Sequence, residues 1–152
     1  MKMSKKVFNT TFEISMRLLL MLSLVDKRGL TLDNLATADF IANYSKEFGL
    51  TDSNLHGDNE FSFSEYSTRR SFAQDAIKQL VLEGMIKVSY SKTGFRYFIS
   101  ERGQAFSNTL TSDYAKEYRL YAKKAIEYMD TKKEKELLNL ISREASKSLR
   151  KE

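Results

Sequence analysis

The chain has 152 residues with no cysteine and no proline, and its 25 lysines and arginines stand against 20 aspartates and glutamates. That length buries one good core, so one domain with a helical extension is expected. The absence of cysteine excludes a disulfide framework and thiolate chemistry and suits a cytoplasmic protein. The mild basic excess fits either a nucleic acid or an acidic protein partner and decides neither.

Taken in order, residues 1–6 are short and basic, and Phe8-Asn9-Thr10-Thr11 follows them where a secretory signal would need an apolar run. Thr10 and Glu13 have capping-box spacing, which predicts a helix from about Thr11. That helix carries Ile14, Leu18, Leu19, Leu20, Met21, Leu22, Leu24 and Val25 and is apolar nearly all round. It is too short to cross a bilayer, so no membrane association is expected. It is either the buried centre or a helix with one face waiting for another chain. Lys27-Arg28-Gly29 ends it, and Thr31 can cap a second helix running through Leu35, Ala38, Ile41, Ala42, Tyr44 and Phe48 to a stop at Gly49. The segment 50–64 reads as a polar loop, in which Phe61 and Phe63 alternate with serines as in a short strand.

Over 66–83, Phe72, Ala76, Ile77, Leu80 and Val81 recur at helical spacing, and Gly84 closes the helix. The period then becomes two. Ile86, Val88 and Tyr90 alternate with polar residues, Ser91-Lys92-Thr93-Gly94 makes a turn, and Tyr97 and Ile99 lie on the return strand. Ser100-Glu101-Arg102-Gly103 starts another helix carrying Phe106 and Leu110. Ser112-Asp113 opens the next, with Tyr114, Tyr118, Tyr121, Ala122, Ala125 and Met129 along one stripe. Thr131 and Glu134 form a second capping box before a last helix with Leu137, Leu138, Ile141, Ala145 and Leu149. The predicted core includes Leu18, Leu22, Ile77, Leu80, Val88 and Ile99.

Helix, glycine, strand, glycine turn, strand, serine-started helix: this order resembles the end of a winged helix-turn-helix domain. The expected fold is therefore mainly α (α+β), a winged helix with one hairpin over 1–111 and a C-terminal helical extension over 112–152. In such a domain the helix before the wing can enter the major groove while the wing tip touches phosphate. Arg69, Arg70, Gln74 and Lys78 on that helix, with Lys92 and Arg96 on the wing, are the candidate contacts to double-stranded DNA. Asp75 and Glu83 interrupt the positive face, so a solvated basic face is an equal reading. Tyr114, Tyr118 and Tyr121, with Leu138, Ile141 and Leu149, are the candidate partner-binding residues, although a tyrosine stripe at helical spacing is more often packing.

No reactive constellation is legible. His56 is the only histidine, Asp58 and Glu60 lie in a polar loop, and neither G-x-x-x-x-G-K-[ST] nor G-x-G-x-x-G occurs. A non-enzymatic protein without cofactor, metal or small-molecule substrate is expected.

Phe8-Asn9-Thr10-Thr11-Phe12-Glu13-Ile14 with Arg17, then Leu35, Ala38-Asp39-Phe40-Ile41 and Tyr44-Ser45, resemble the first two helices of the middle component of bacterial ABC three-component systems. Arg69-Arg70 ahead of Leu80, Gly84-Met85-Ile86 and Gly94-Phe95-Arg96-Tyr97 extend the resemblance, which covers 8–129 and leaves the last helix out. Thr11 stands where a proline is expected. The resemblance implies an adaptor subunit in anti-phage defence of the Lamassu type, bridging an SMC- or Rad50-like ATPase and an effector, commonly a nuclease. The rival is a free-standing winged-helix transcriptional regulator that homodimerises through its C-terminal helices.

Overall fold

A computed structural model describes residues 11–25, 27–53, 55, 63–92 and 94–150, with the backbone alone at 63–67, 134 and 144–150. Among these residues there are six helices and one two-stranded sheet: α1 (Thr11–Leu24), α2 (Leu32–Asn43), α3 (Phe63–Leu82), β1 (Ile86–Ser91), β2 (Gly94–Ile99), α4 (Glu101–Asn108), α5 (Asp113–Asp130) and α6 (Glu134–Arg150).

The apolar circumference of α1 makes it the centre. Ile14 and the run from Leu18 to Leu22 are buried, and α2, α3, α4, α5 and β2 all pack on this helix. Only Phe12 and Leu24 among its large apolar residues are exposed. The chain leaves α1 through Gly29, at φ 66°, where a Cβ would stand 2.6 Å from the Phe98 ring and 2.7 Å from the Tyr97 carbonyl. Both the left-handed backbone and the close approach demand glycine. Leu30 then pairs with Tyr97 through two backbone hydrogen bonds of 2.9 and 2.8 Å, placing a one-residue strand on the outer edge of β2.

Thr31 caps α2 as expected, its hydroxyl accepting from the Asn34 N–H. The helix stops at Asn43 rather than continuing to Phe48. Tyr44 keeps its bond to the Phe40 carbonyl, but Leu50 N–H bonds the Ser45 carbonyl, so residues 44–50 close as turns instead. The strand expected around Phe61 and Phe63 is corrected in part: Phe63 opens α3, whereas Phe61, His56, Asp58 and Glu60 lie outside the described residues.

Ala73, Ala76, Ile77 and Leu80 form the buried stripe of α3 against α1. Phe72, expected on that face, is exposed, because it lies one residue and so about 100° away from Ala73 on the helix. The hairpin has the register the alternation predicts, with Ile86 opposite Ile99, Val88 opposite Tyr97 and Tyr90 opposite Phe95. Val88 is nevertheless not core: it is 47% exposed, and Ile86 is the only buried residue of β1. The hairpin runs off the helical layer, so only its base is covered.

Ser100 stitches the hairpin to α4. Its hydroxyl donates to the Gly84 carbonyl (2.6 Å) and accepts from the Gly103 N–H (2.9 Å). A Cβ at Gly103 would collide with the Met85 carbonyl, which fixes how closely α4 can lie. Ser112 caps α5, whose Ala115, Tyr118, Ala122, Ala125, Ile126 and Met129 join the same core as α1 to α3. Thr131 does not cap α6. It closes α5, its hydroxyl donating to the Tyr128 carbonyl at 2.7 Å, and α6 begins at Glu134. No described helix is long and apolar enough to cross a membrane.

Candidate interaction surfaces

Four helices meet at a closed ionic cluster. Arg17 of α1 makes a two-pronged bond to Asp39 of α2, Nε to Oδ1 at 2.9 Å and NH2 to Oδ2 at 3.2 Å. The Tyr118 hydroxyl of α5 donates to Asp39 Oδ1 at 2.7 Å, and the Asn43 amide does so at 3.2 Å. Arg69 of α3 places NH1 3.9 Å from Asp39 Oδ2 and its guanidinium 5.6 Å over the Tyr44 ring. Glu13 approaches Arg17 at 3.7 Å, so two carboxylates balance two guanidiniums.

Burial alone raises the Asp39 carboxyl, yet Arg17, Arg69 and the Tyr118 hydrogen bond outweigh it and hold its pKa below the ordinary carboxylate value. Burial likewise lowers the Arg17 guanidinium, and its pairing with Asp39 more than reverses that. Burial, with the Asp39 charge, pushes the Tyr118 hydroxyl well up, so it stays a proton donor. The cluster is shut off from solvent and serves to fix the rotation of α3. With Arg69 turned inward, Gln74 and Lys78 are turned out.

Those two residues line a groove of about 700 Å³ between the start of α2 (Thr31, Leu32, Asp33, Asn34), α3 (Gln74, Ile77, Lys78) and β2 (Gly94, Phe95, Arg96, Tyr97). The groove brings Gln74, Lys78 and Arg96 of the nucleic-acid candidates together. The other three are elsewhere. Arg69 is buried, Arg70 is bound to Asp33 at the rim (Nε to Oδ1, 2.7 Å), and Lys92 is exposed at the hairpin turn. Arg96 donates to the Arg28 and Gly29 carbonyls at 3.3 and 3.2 Å, so its guanidinium ties β2 to the end of α1.

A family model for the ABC-three component (ABC-3C) system Middle Component 2 matches residues 7–151. The chain belongs to this family. The match runs through α6, so the likeness reaches beyond Met129, where the sequence comparison above ended. No curated protein and no solved structure matches the chain.

The partner-binding candidates of this middle component separate by burial. Tyr118 is fully buried in the ionic cluster, and Ile141 is buried against Phe40 and Tyr44. Tyr114 and Tyr121 are half-buried, the latter with its hydroxyl 3.3 Å from Ser53 Oγ. Leu138 is exposed, and the side chain of Leu149 lies outside the described residues. Sequence reasoning missed an apolar groove of about 300 Å³, where Phe12, Met16 and Leu19 of α1 face Leu80, Met85 and Phe106. Its signal was present in Phe12 and Phe106, large aromatics off the buried helical stripes.

Proposed function

We propose that this chain is a non-enzymatic adaptor subunit of an anti-phage defence complex, bridging an SMC- or Rad50-like ATPase and an effector such as a nuclease. The scaffold is read as a winged helix-turn-helix. Supporting that reading, Leu30 between α1 and α2 pairs with the outer edge of β2, giving the order helix, strand, helix, helix, strand, strand.

The observation that carries the adaptor reading is how the charge is spent. On the face that would meet a duplex, Arg69 is buried beside Asp39, Arg70 is bound to Asp33, and Arg96 is bound to backbone carbonyls. Direct duplex contact is left to Gln74, Lys78 and Lys92, too few cations to carry affinity that is dominated by phosphate. Large apolar side chains are exposed as well, among them Phe12, Leu82, Val88, Tyr90, Phe95, Leu120 and Leu138, which suits protein partners.

Co-expression of the tagged chain with the other two components of its system tests this. The expected result is one stable assembly containing all three. A chain that elutes alone as a homodimer and binds a palindromic duplex with steep salt dependence would support the transcriptional regulator instead.

A further inference from the structure

We infer that β1 is a docking edge for an extended segment of a partner component, apolar and acidic at alternate positions, which adds to the sheet as a third strand. The inference rests on the adaptor reading above and names the surface and the chemistry of the contact.

Backbone direction follows from the bridge to Leu30. Tyr97 spends both its N–H and its C=O on Leu30, so these groups point away from β1. In an antiparallel pair the bonded residues alternate, so Arg96 and Phe98 bond their β1 partners Ser89 and Lys87. The N–H and C=O groups of Val88 and Tyr90 therefore point to the outer edge of β1. The sheet has no further strand there among the described residues.

Side chains repeat the message. Val88, Tyr90 and Phe95 lie on one face of the hairpin and are 47%, 75% and 55% exposed, with the Tyr90 and Phe95 rings in edge contact at 5.1 Å. They continue the face whose base, Ile86 and Ile99, is buried. An open row of strand donors and acceptors beside an uncovered apolar face is what an added strand requires.

Charge selects the occupant. From Ile86 to Ile99 the hairpin holds Lys87, Lys92 and Arg96 and no acidic residue. Lys87 projects on the face opposite Val88, so an incoming strand meets apolar side chains on one face and a cation on the other. A second copy of this chain would bring the same lysines to the same edge, and like charges there oppose self-pairing.

The test compares amide hydrogen exchange of the full chain alone and in the complex with its two co-expressed system components. The expected result is slowed exchange at Val88 and Tyr90 in the complex. Lys87→Glu with Lys92→Glu should weaken assembly by about tenfold or more. Val88→Pro, which removes an edge N–H, should weaken it further than Val88→Thr, which keeps that donor. A complex that forms with unchanged exchange at both amides overturns the inference and leaves the adaptor reading standing. Failure of any complex to form overturns both. Protection of the same amides by duplex DNA, or by raising the concentration of the isolated chain, overturns it by naming a different occupant.

Discussion

Replacing Asp39 by asparagine keeps the shape of the side chain and removes the charge that four helices share. Asp39 is 4% exposed and Arg17 0%, so the buried Arg17 and Arg69 guanidiniums would lose the carboxylate they share, leaving only Glu13, 3.7 Å from Arg17. Breaking a buried pair in this way costs about 3–5 kcal/mol. The Tyr118 and Asn43 bonds at 2.7 and 3.2 Å become weaker neutral ones, and because all share one acceptor their losses do not simply add. A total near 4 kcal/mol is a large part of the roughly 5–15 kcal/mol that holds a domain of this kind. Urea unfolding followed by circular dichroism at pH 7 should show the midpoint falling accordingly. Asp33→Asn, which breaks the exposed pair with Arg70, should leave the midpoint nearly unchanged. The wild-type dependence on pH has a fixed sign. Because the folded Asp39 pKa lies below its ordinary value, its stabilisation is complete above about pH 4 and is lost as the pH falls through the folded pKa. A loss under about 1 kcal/mol for Asp39→Asn would refute the view that this cluster sets the helix packing.

Other substitutions separate core from surface. Gly103→Ala should lower the melting temperature, because the new methyl meets the Met85 carbonyl and, at 3.0 Å, Ile99 Cγ1. The overpacking cost of about 1–3 kcal/mol exceeds the gain in helix propensity of about 1 kcal/mol, and an unchanged or raised melting temperature would contradict the close approach. Leu22→Ala, fully buried in α1, should cost about 2–5 kcal/mol in denaturant unfolding. Val88→Ala should change stability by no more than about 0.5 kcal/mol, and a larger loss would put Val88 in the core after all. Duplex binding by the isolated chain, titrated against salt, should show a log–log slope no steeper than about −2, from Lys78 and Lys92 alone. A slope of about −4.5 on that scale would mean that Arg69, Arg70 and Arg96 also reach phosphate.

What could be read from the chain was local. The start of α1 near Thr11, the Thr31, Ser100 and Ser112 caps, the left-handed Gly84 and the hairpin register each follow from residues a few positions apart. The ionic cluster was not legible, since Arg17 and Asp39 are 22 residues apart and Asp39 and Tyr118 are 79 apart. Nothing in the spacing of Arg69 tells that its guanidinium lies under the helices rather than over a groove. Alternation placed Val88 on the apolar face of β1 but could not say that the covering helices end at Ile86. The same limit applies to α2. Its apolar pattern runs on through Phe48, which packs edge-on against Tyr128 at 5.9 Å from a turn rather than from a helix.

The most direct test is to mix the other two components of its system, proposed above to be an ATPase and an effector, with and without this chain and to weigh the products by mass photometry. A connector predicts that the two larger components associate only when the chain is present, and that the chain appears in every such particle. Stable association of those two without it, or a chain found only as particles of its own, would contradict the account.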